Sequence, residues 1–324
     1  IDAYQTLVER YPKSEDRADA LYNVAVVLEN MQQYEKAAEA YKNYATTFRS
    51  RPDAGEVFFR SALVYAKMEA WGRVTQTLDE FVRAYRRAPQ ERARIVRAYL
   101  ERGKAEQARE RNRSARQSYD LCVQEFARLR LRISSKAGGY AAQCAFRLAE
   151  YRFEDYDDIA ITGNERQQVE ALRRKAAVQQ QVEKAYASVV RYKRLEQTLA
   201  AFYRIGHSYE RFADALFTAP VPKALQRDPE LADEYRAQLE DRAAILEQKA
   251  EAAYRKAYQE ARQQGVTNQW TRRILEGLNK FAPAEFPIQK RGKPALLTDF
   301  ISGHGLEAES RRTERTGARS TDDE

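Results

Sequence analysis

The sequence predicts an all-α solenoid of stacked helix hairpins. Three observations lead there. A bulky-small-bulky stripe recurs as Leu21, Val24, Ala25 and Leu28, as Phe58, Ser61, Ala62 and Tyr65, and more loosely as Tyr99 and Gly103. Each is followed, 16 residues after its first member, by a second stripe: Ala37, Tyr41 and Tyr44, then Val74, Leu78 and Phe81, then Ala115, Tyr119 and Cys122. Charged residues make up 32% of the 324-residue chain while Gly and Pro number only 13 and 9, which suits long solvated helices. A small residue lets two helix backbones approach and the large ones fill the gap beside it. One hairpin then stacks on the next, and no single globule is needed.

Taken in order, Ile1 to Tyr11 reads as the second helix of a partial unit, with Ala3 and Leu7 on packing positions and Pro12 beyond its end. A first helix is expected upstream, so the chain reads as a piece of a longer protein. Three compact hairpins follow to about Leu131, giving a first region over 1–133. Pro12 and Ser14 open it, with Ser14 or Asp16 as the helix cap, and Arg51-Pro52-Asp53 and Ala88-Pro89 mark the later boundaries.

After Ser134 the hairpins lengthen. Ala141, Cys144, Ala145 and Leu148 form a first stripe, and its partner, Ala185, Val189 and Tyr192, begins 44 residues after Ala141, an excess of 28. Phe202 is matched by Ala250, Tyr254 and Ala257, an offset of 48 and an excess of 32. The stretch from Asp157 to Asn164 reads as a loop, and Asn164 caps a helix from Glu165 to about Tyr192. Thr218 to Asp228, with Pro220 and Pro222, is a second loop; Asp228 and Pro229 start a helix that runs to Gln264, where Gly265 supplies a left-handed stop. Each second helix is expected to begin about 18 residues early, projecting about 27 Å. The extensions carry apolar stripes, Val169, Leu172, Ala176 and Val178 in one and Leu231, Tyr235, Leu239 and Ile245 in the other. These should pack on one another or on lengthened first helices, and they leave room for self-association. A last helix, Asn268 to Phe281, carries Trp270, Ile274, Leu275 and Leu278 and should cap a second region over 134–283. Residues 284–324 read as an extended or flexible tail, with Ala295 to Ile301 apolar enough to dock.

Phe202-Tyr203-Arg204-Ile205-Gly206-His207-Ser208-Tyr209 resembles the first helix of a tetratricopeptide repeat, with Phe202, Ile205, Gly206 and Tyr209 on its signature positions. Asp19 to Ala25 is similar, and Tyr34 to Tyr41 resembles the second helix. The resemblance spans Ile1 to Pro283. It implies a right-handed α-solenoid whose first helices line a concave face and bind proteins or peptides. Repeat starts at Leu21, Phe58 and Tyr99 lie 37 and 41 residues apart, longer than the family's period of about 34, which alters pitch rather than class. Arg10-Tyr11-Pro12-Lys13-Ser14 and Ala20 to Ala25 resemble bacterial envelope repeat proteins, the outer-membrane assembly lipoproteins and the periplasmic coordinators of constriction. Leu231 to Pro287 resembles repeat proteins of deltaproteobacterial gliding machineries. These likenesses imply a periplasmic or envelope-associated scaffold with envelope-complex subunits as partners; the cytoplasm is the alternative.

Catalysis has little to stand on. The two histidines, His207 and His304, lie near no Cys or acid at ligand spacing, and no phosphate loop or nucleophile motif is present. No enzyme, cofactor or metal is expected. Cys122 and Cys144 are too few for a zinc site; a single disulfide is geometrically open to them, and two small buried hydrophobes is the favoured alternative. No apolar run reaches the 18 or so residues of a membrane span, so membrane contact would be indirect. The net charge of +8 resides in the helical body, because the segment after Pro283 holds seven Lys/Arg against eight Asp/Glu. It permits acidic partners. Most basic residues alternate with Glu and Gln, and none form the aromatic-interleaved stripe that a single-strand binder needs, so nucleic acid or an anionic glycan is the second reading.

The candidate binding face follows from the resemblance. First-helix positions between packing residues would line it: Tyr22, Asn23 and Val26; Phe59, Arg60 and Lys67; Lys104; Gln143 and Phe146; Tyr203, Arg204, His207 and Arg211. The amide of Asn23 can pair with both polar groups of an extended backbone, and Arg60 can fork a carboxylate. Family members that clamp C-terminal carboxylates are similar at Asn23 and Arg60, but Glu56 stands where they carry Lys.

Overall fold

The computed structural model describes residues 2–288; every regular element among them is a helix, with no strand. The apolar Ala295–Ile301 stretch and His304 lie outside the described residues. After α1 (Asp2–Arg10) come five hairpins: α2 (Arg17–Asn30) with α3 (Tyr34–Thr47), α4 (Ala54–Lys67) with α5 (Trp71–Tyr85), α6 (Arg92–Ala108) with α7 (Asn112–Arg128), α8 (Lys136–Asp157) with α9 (Glu165–Val190), and α10 (Leu195–Phe217) with α11 (Pro229–Gln263). α12 (Gln269–Phe281) follows. From α1 to α11 each helix packs on the next, and the first helices also pack in series, α4 on α6, α6 on α8 and α8 on α10. That nearest-neighbour pattern is an α-solenoid. It holds up to Gly277; the described residues from Leu278 to Ile288 belong to a separate unit, in which the Asn279 side chain donates to the Phe286 carbonyl at 2.9 Å.

The three compact hairpins turn identically. Gln32, Glu69 and Glu110 adopt φ of 60°, 55° and 58°, and the residue after each donates to a carbonyl five positions back (Gln33 to Leu28, Ala70 to Tyr65, Arg111 to Glu106). This left-handed stop satisfies carbonyls the helix leaves free, and it does so here without glycine. Neither Ser14 nor Asp16 caps α2 with its side chain as expected; Ser14 Oγ accepts from the Asp16 amide instead, at 3.2 Å.

Large-on-small contacts hold the hairpins. A Cβ at Gly103 would lie 2.4 Å from the ring of Tyr119. One at Gly206 would lie 2.7 Å from one edge of Tyr254, and one at Gly277 the same distance from the other edge. These tyrosines are fully buried, so their hydroxyls need partners. Tyr41 donates to Glu29, Tyr119 to Gln107, Tyr186 to Glu150 and Tyr254 to Glu210, across sequence separations of 12, 12, 36 and 44. The two long hairpins therefore repeat the compact contact with 24 and 32 extra residues. This corrects the register expected for α9: Val182, Tyr186 and Val189 are buried, whereas Ala185 and Tyr192 are only half-buried.

The added length is shared by both helices of each hairpin. α8 and α10 have 22 and 23 residues against 14 in α2 and α4, and α9 and α11 have 26 and 35 against 14 and 15 in α3 and α5. The early start expected of each second helix is thus overstated for α9. As expected, the extensions pack together, enclosing a second core of Phe153, Tyr156, Ile161, Phe212, Leu216, Leu239 and Ala243, with Leu172, Ala176 and Tyr235 at its edge. Val169, Leu231 and Ile245, expected in the packing stripes, are 41%, 46% and 55% exposed. The buried positions early in α9 are polar instead: Gln168, Lys175 and Gln179. Gln179 donates to the Ser208 hydroxyl at 3.4 Å, and for the other two the reason is carbonyl satisfaction. Lys175 Nζ donates to the carbonyls of Tyr156 and Ile159 at 3.2 and 3.0 Å, and Gln168 Nε2 to those of Gly163 and Pro220 at 3.0 and 2.8 Å. Burial pushes the Lys175 ammonium below its ordinary pKa.

Three expected helix signals are in place. Asn164 and Gln167 form a capping box, Asp228 Oδ1 accepts from the Glu230 and Leu231 amides, and Gly265 takes φ 62°. Cys122 of α7 and Cys144 of α8 are bonded to each other, with Cα atoms 6.3 Å apart, so the favoured reading of two free buried thiols is corrected. Both sit where the sequence put packing residues, and facing packing positions on adjacent helices bring the sulfurs together.

Candidate functional site

The expected face resolves into two clusters built on acids of the first helices. In the first, Glu29 lies one turn beyond Ala25 on α2. Arg60, two residues before Ala62 on α4, sends Nε and Nη2 to Glu29 Oε2 at 3.1 and 2.9 Å, and Nη1 to the Tyr22 hydroxyl at 3.1 Å. Lys67 reaches Glu29 Oε1 at 2.7 Å. Burial pushes the Glu29 carboxyl up, but hydrogen bonds from Lys67 and Tyr41 and the charge of Arg60 outweigh it and hold it below the ordinary range. Both Arg60 bonds to Glu29 go to one oxygen, so Arg60 does not straddle a carboxylate as a fork would, and the carboxylate it holds belongs to this chain.

The second cluster repeats the arrangement. Arg204, two residues before Gly206 on α10, pairs with Glu150 at 2.5 Å and lies over the Phe153 ring at 4.9 Å. Glu150 also accepts from Tyr186. Burial alone would lower the Arg204 pKa, but Glu150 keeps it raised. Tyr203 and His207 stack at 5.6 Å, and His207 stacks again on Phe153 at 5.6 Å while its Nδ1 faces Glu210 at 3.2 Å. Arg211 binds both oxygens of Asp157, at 2.9 and 3.2 Å.

The remaining residues are scattered between these clusters. Asn23 and Val26 are half-buried on α2. Phe59 is only 3% exposed, edge-on to Phe81 and covered by Arg97 at 5.0 Å, so its ring is floor rather than surface. Lys104 is exposed beside Glu101 at 3.2 Å. Phe146 is half-buried and meets Trp270 of α12 edge-on at 5.9 Å.

Two open basins lie along the first helices, one including Arg60 of the first cluster and the other Arg204 and Glu150 of the second. One of about 470 Å³ spans α4, α6 and α8 and includes Phe59, Arg60, Arg94, Arg97 and Tyr140. The other, about 450 Å³, spans α6, α8, α10 and α12 and includes Lys104, Gln143, Phe146, Arg147, Arg204 and Trp270. The two linings hold eight cations (Arg60, Arg94, Arg97, Lys104, Lys136, Arg147, Arg204 and Arg273) against three carboxylates, Glu56, Glu150 and Glu196. Three further carboxylates just outside them pair four of the cations: Glu29 with Arg60, Glu91 with Arg94, and Glu101 with Arg97 and Lys104. Sequence reasoning missed Arg97, Arg147, Trp270 and Arg273. The last two lie on a helix read as a plain cap, and Arg97 was hidden among ordinary helix charges. Arg97 is placed by the rings of Phe59 and Tyr140, at 5.0 and 5.7 Å.

Two open, basic basins with aromatic residues in their walls can hold stretches of a bound segment; neither brings together a nucleophile and a base. Among the described residues no group of three or more His, Cys, Asp or Glu is placed to hold a metal ion, and no helix is long and apolar enough to cross a membrane.

No protein-family model matches the chain, and no curated protein does. Solved structures similar to it include the apo form of RapI, 13% identical with a TM-score of 0.34, over 76% of this chain and 91% of that one. Another is the C-terminal part of a TPR repeat-containing protein from Cytophaga hutchinsonii, also 13% identical, with a TM-score of 0.29 over 81% and 96%. At such distances the fold assignment rests on the chain's own packing.

Proposed function

We propose that the protein is a non-enzymatic, tetratricopeptide-like scaffold that holds an extended acidic segment of a partner protein along the first-helix basins. The observation that carries this reading is the residual positive charge of the basins, eight cations to six carboxylates once Glu29, Glu91 and Glu101 are counted, beside half-buried aromatic rings. Internal pairs such as Arg204–Glu150 position the walls, and Arg147 and Arg273 face the second basin beside Phe146 and Trp270. The test is titration of a fluorescein-labelled oligoglutamate peptide. Arg147→Glu with Arg273→Glu should weaken binding about tenfold or more, since unlike charges across an interface become like ones. Unchanged affinity overturns the reading. If single-stranded DNA binds more tightly, with a steep salt dependence, the acidic-polymer alternative takes its place.

The setting we infer is the bacterial cell envelope, with a subunit of an envelope complex as partner. The Cys122–Cys144 bond supports this, because disulfides persist in oxidising compartments and are rare in the cytosol. Thiol trapping in intact native cells tests it: a fully reduced pair points to the cytoplasm.

A further inference from the structure

We propose that the Cys122–Cys144 disulfide is a redox latch on the second basin, holding it in its binding shape when oxidised and shielded from reduction when the basin is filled. This rests on the basin reading above. The bond joins α7 to α8 at the seam between the compact and the long hairpins, and both cysteines are fully buried. Cys144 directly follows Gln143 and precedes Phe146 and Arg147 on α8, all of which line the second basin. The facing wall, Leu100 and Lys104, belongs to α6, and α6 packs on both α7 and α8. Oxidation therefore closes a triangle of three helices, and the α6–α8 spacing that sets the basin's width is one of its sides.

Two thiols fill more space than one cystine. In a tightly packed seam, flanked on α8 by the buried Ala141 and Ala145, that added volume displaces α8 from α7. The chemistry is thiol–disulfide exchange with a dithiol reductant. A reductant thiolate attacks one sulfur, forms a mixed disulfide and releases the other cysteine as a thiolate, which takes up a proton. The second reductant thiol then displaces the remaining cysteine, leaving two cysteine thiols and an oxidised reductant. Because both sulfurs are enclosed, attack requires α7 and α8 to separate. A ligand bridging α6, α8 and α10 opposes that separation, so occupancy and oxidation support each other.

Hydrogen exchange on the oxidised and dithiol-reduced protein tests the latch, with Cys122→Ala/Cys144→Ala as the control. Reduction should raise exchange of residues 136–150 about tenfold while α2 to α5 stay protected, and the control should ignore the reductant. Oligoglutamate affinity should fall by about tenfold on reduction, and bound peptide should shift the thiol–disulfide equilibrium toward the disulfide by the same factor. Equal exchange of α8 in both redox states overturns the latch, as does an equal response in the control. If exchange responds but the peptide binds neither state, the latch on basin geometry stands and the acidic-ligand reading fails.

Discussion

The compact hairpins (α2–α7) and the long ones (α8–α11) solve the same packing problem with different resources. Both seat large second-helix side chains on the first helix and, where a tyrosine is used, anchor its hydroxyl to a polar side chain there. The compact hairpins stop there, and one continuous core serves them all. The long ones build a second core beyond it and bury Gln168 and Lys175 to serve carbonyls at the helix ends and loops. A repeat contact tolerates insertions of 24 or 32 residues, provided the inserted length packs on itself. Added helix without its own partners would have left apolar faces and loop carbonyls unsatisfied.

The sharpest way to break the comparison is at its shared contact. Gly206→Leu should destabilise by roughly 3 kcal/mol, because Tyr254 is held at its other edge by Gly277 and cannot retreat. Calorimetry checks this; a variant melting with the wild type would remove the contact from the fold's framework. Next in size, Lys175→Met should cost about 2 kcal/mol by stranding buried carbonyls. Hydrogen exchange should report its loss of protection in 158–175 and 229–245 alone. Uniform loss across the compact hairpins would mean that the second core is not a separate entity.

Acid should single out the compact region. The carboxyl of Glu29 is held below its ordinary value of 4.5, so its stabilisation is complete above that pH and is lost as pH falls through the depressed folded value. Glu29→Gln should cost about 1 kcal/mol at neutral pH and flatten the melting profile between neutrality and pH 3. Parallel acid profiles for variant and wild type would contradict this. The smallest effect lies in the turns: Glu69→Gly should stabilise by about 0.5 kcal/mol, because φ of 55° strains a side chain but not glycine. Urea denaturation resolves that difference, and a loss of stability would show that the Glu69 side chain contributes more than its backbone strain removes.

The sequence by itself determined the helical class, the hairpin order, the two lengthened hairpins and their caps at Asn164 and Asp228. Those features are written in periodicity and in local hydrogen-bonding chemistry, which act within a few residues. It also placed Arg60 and Arg204 on one face. Only the tertiary structure decided what they do there. Their carboxylate partners, Glu29 and Glu150, lie 31 and 54 residues away on a neighbouring helix. The same holds for Lys175, whose period reads as an exposed lysine until the loop carbonyls of α8 close over it. The α9 register hinged on whether Ala185 or Tyr186 faced α8, one residue apart on a helix apolar on both sides. Tyr186 prevailed because Glu150 was in reach of its hydroxyl. The Cys122–Cys144 bond was likewise settled by the approach of two helices, a distance that no local pattern encodes.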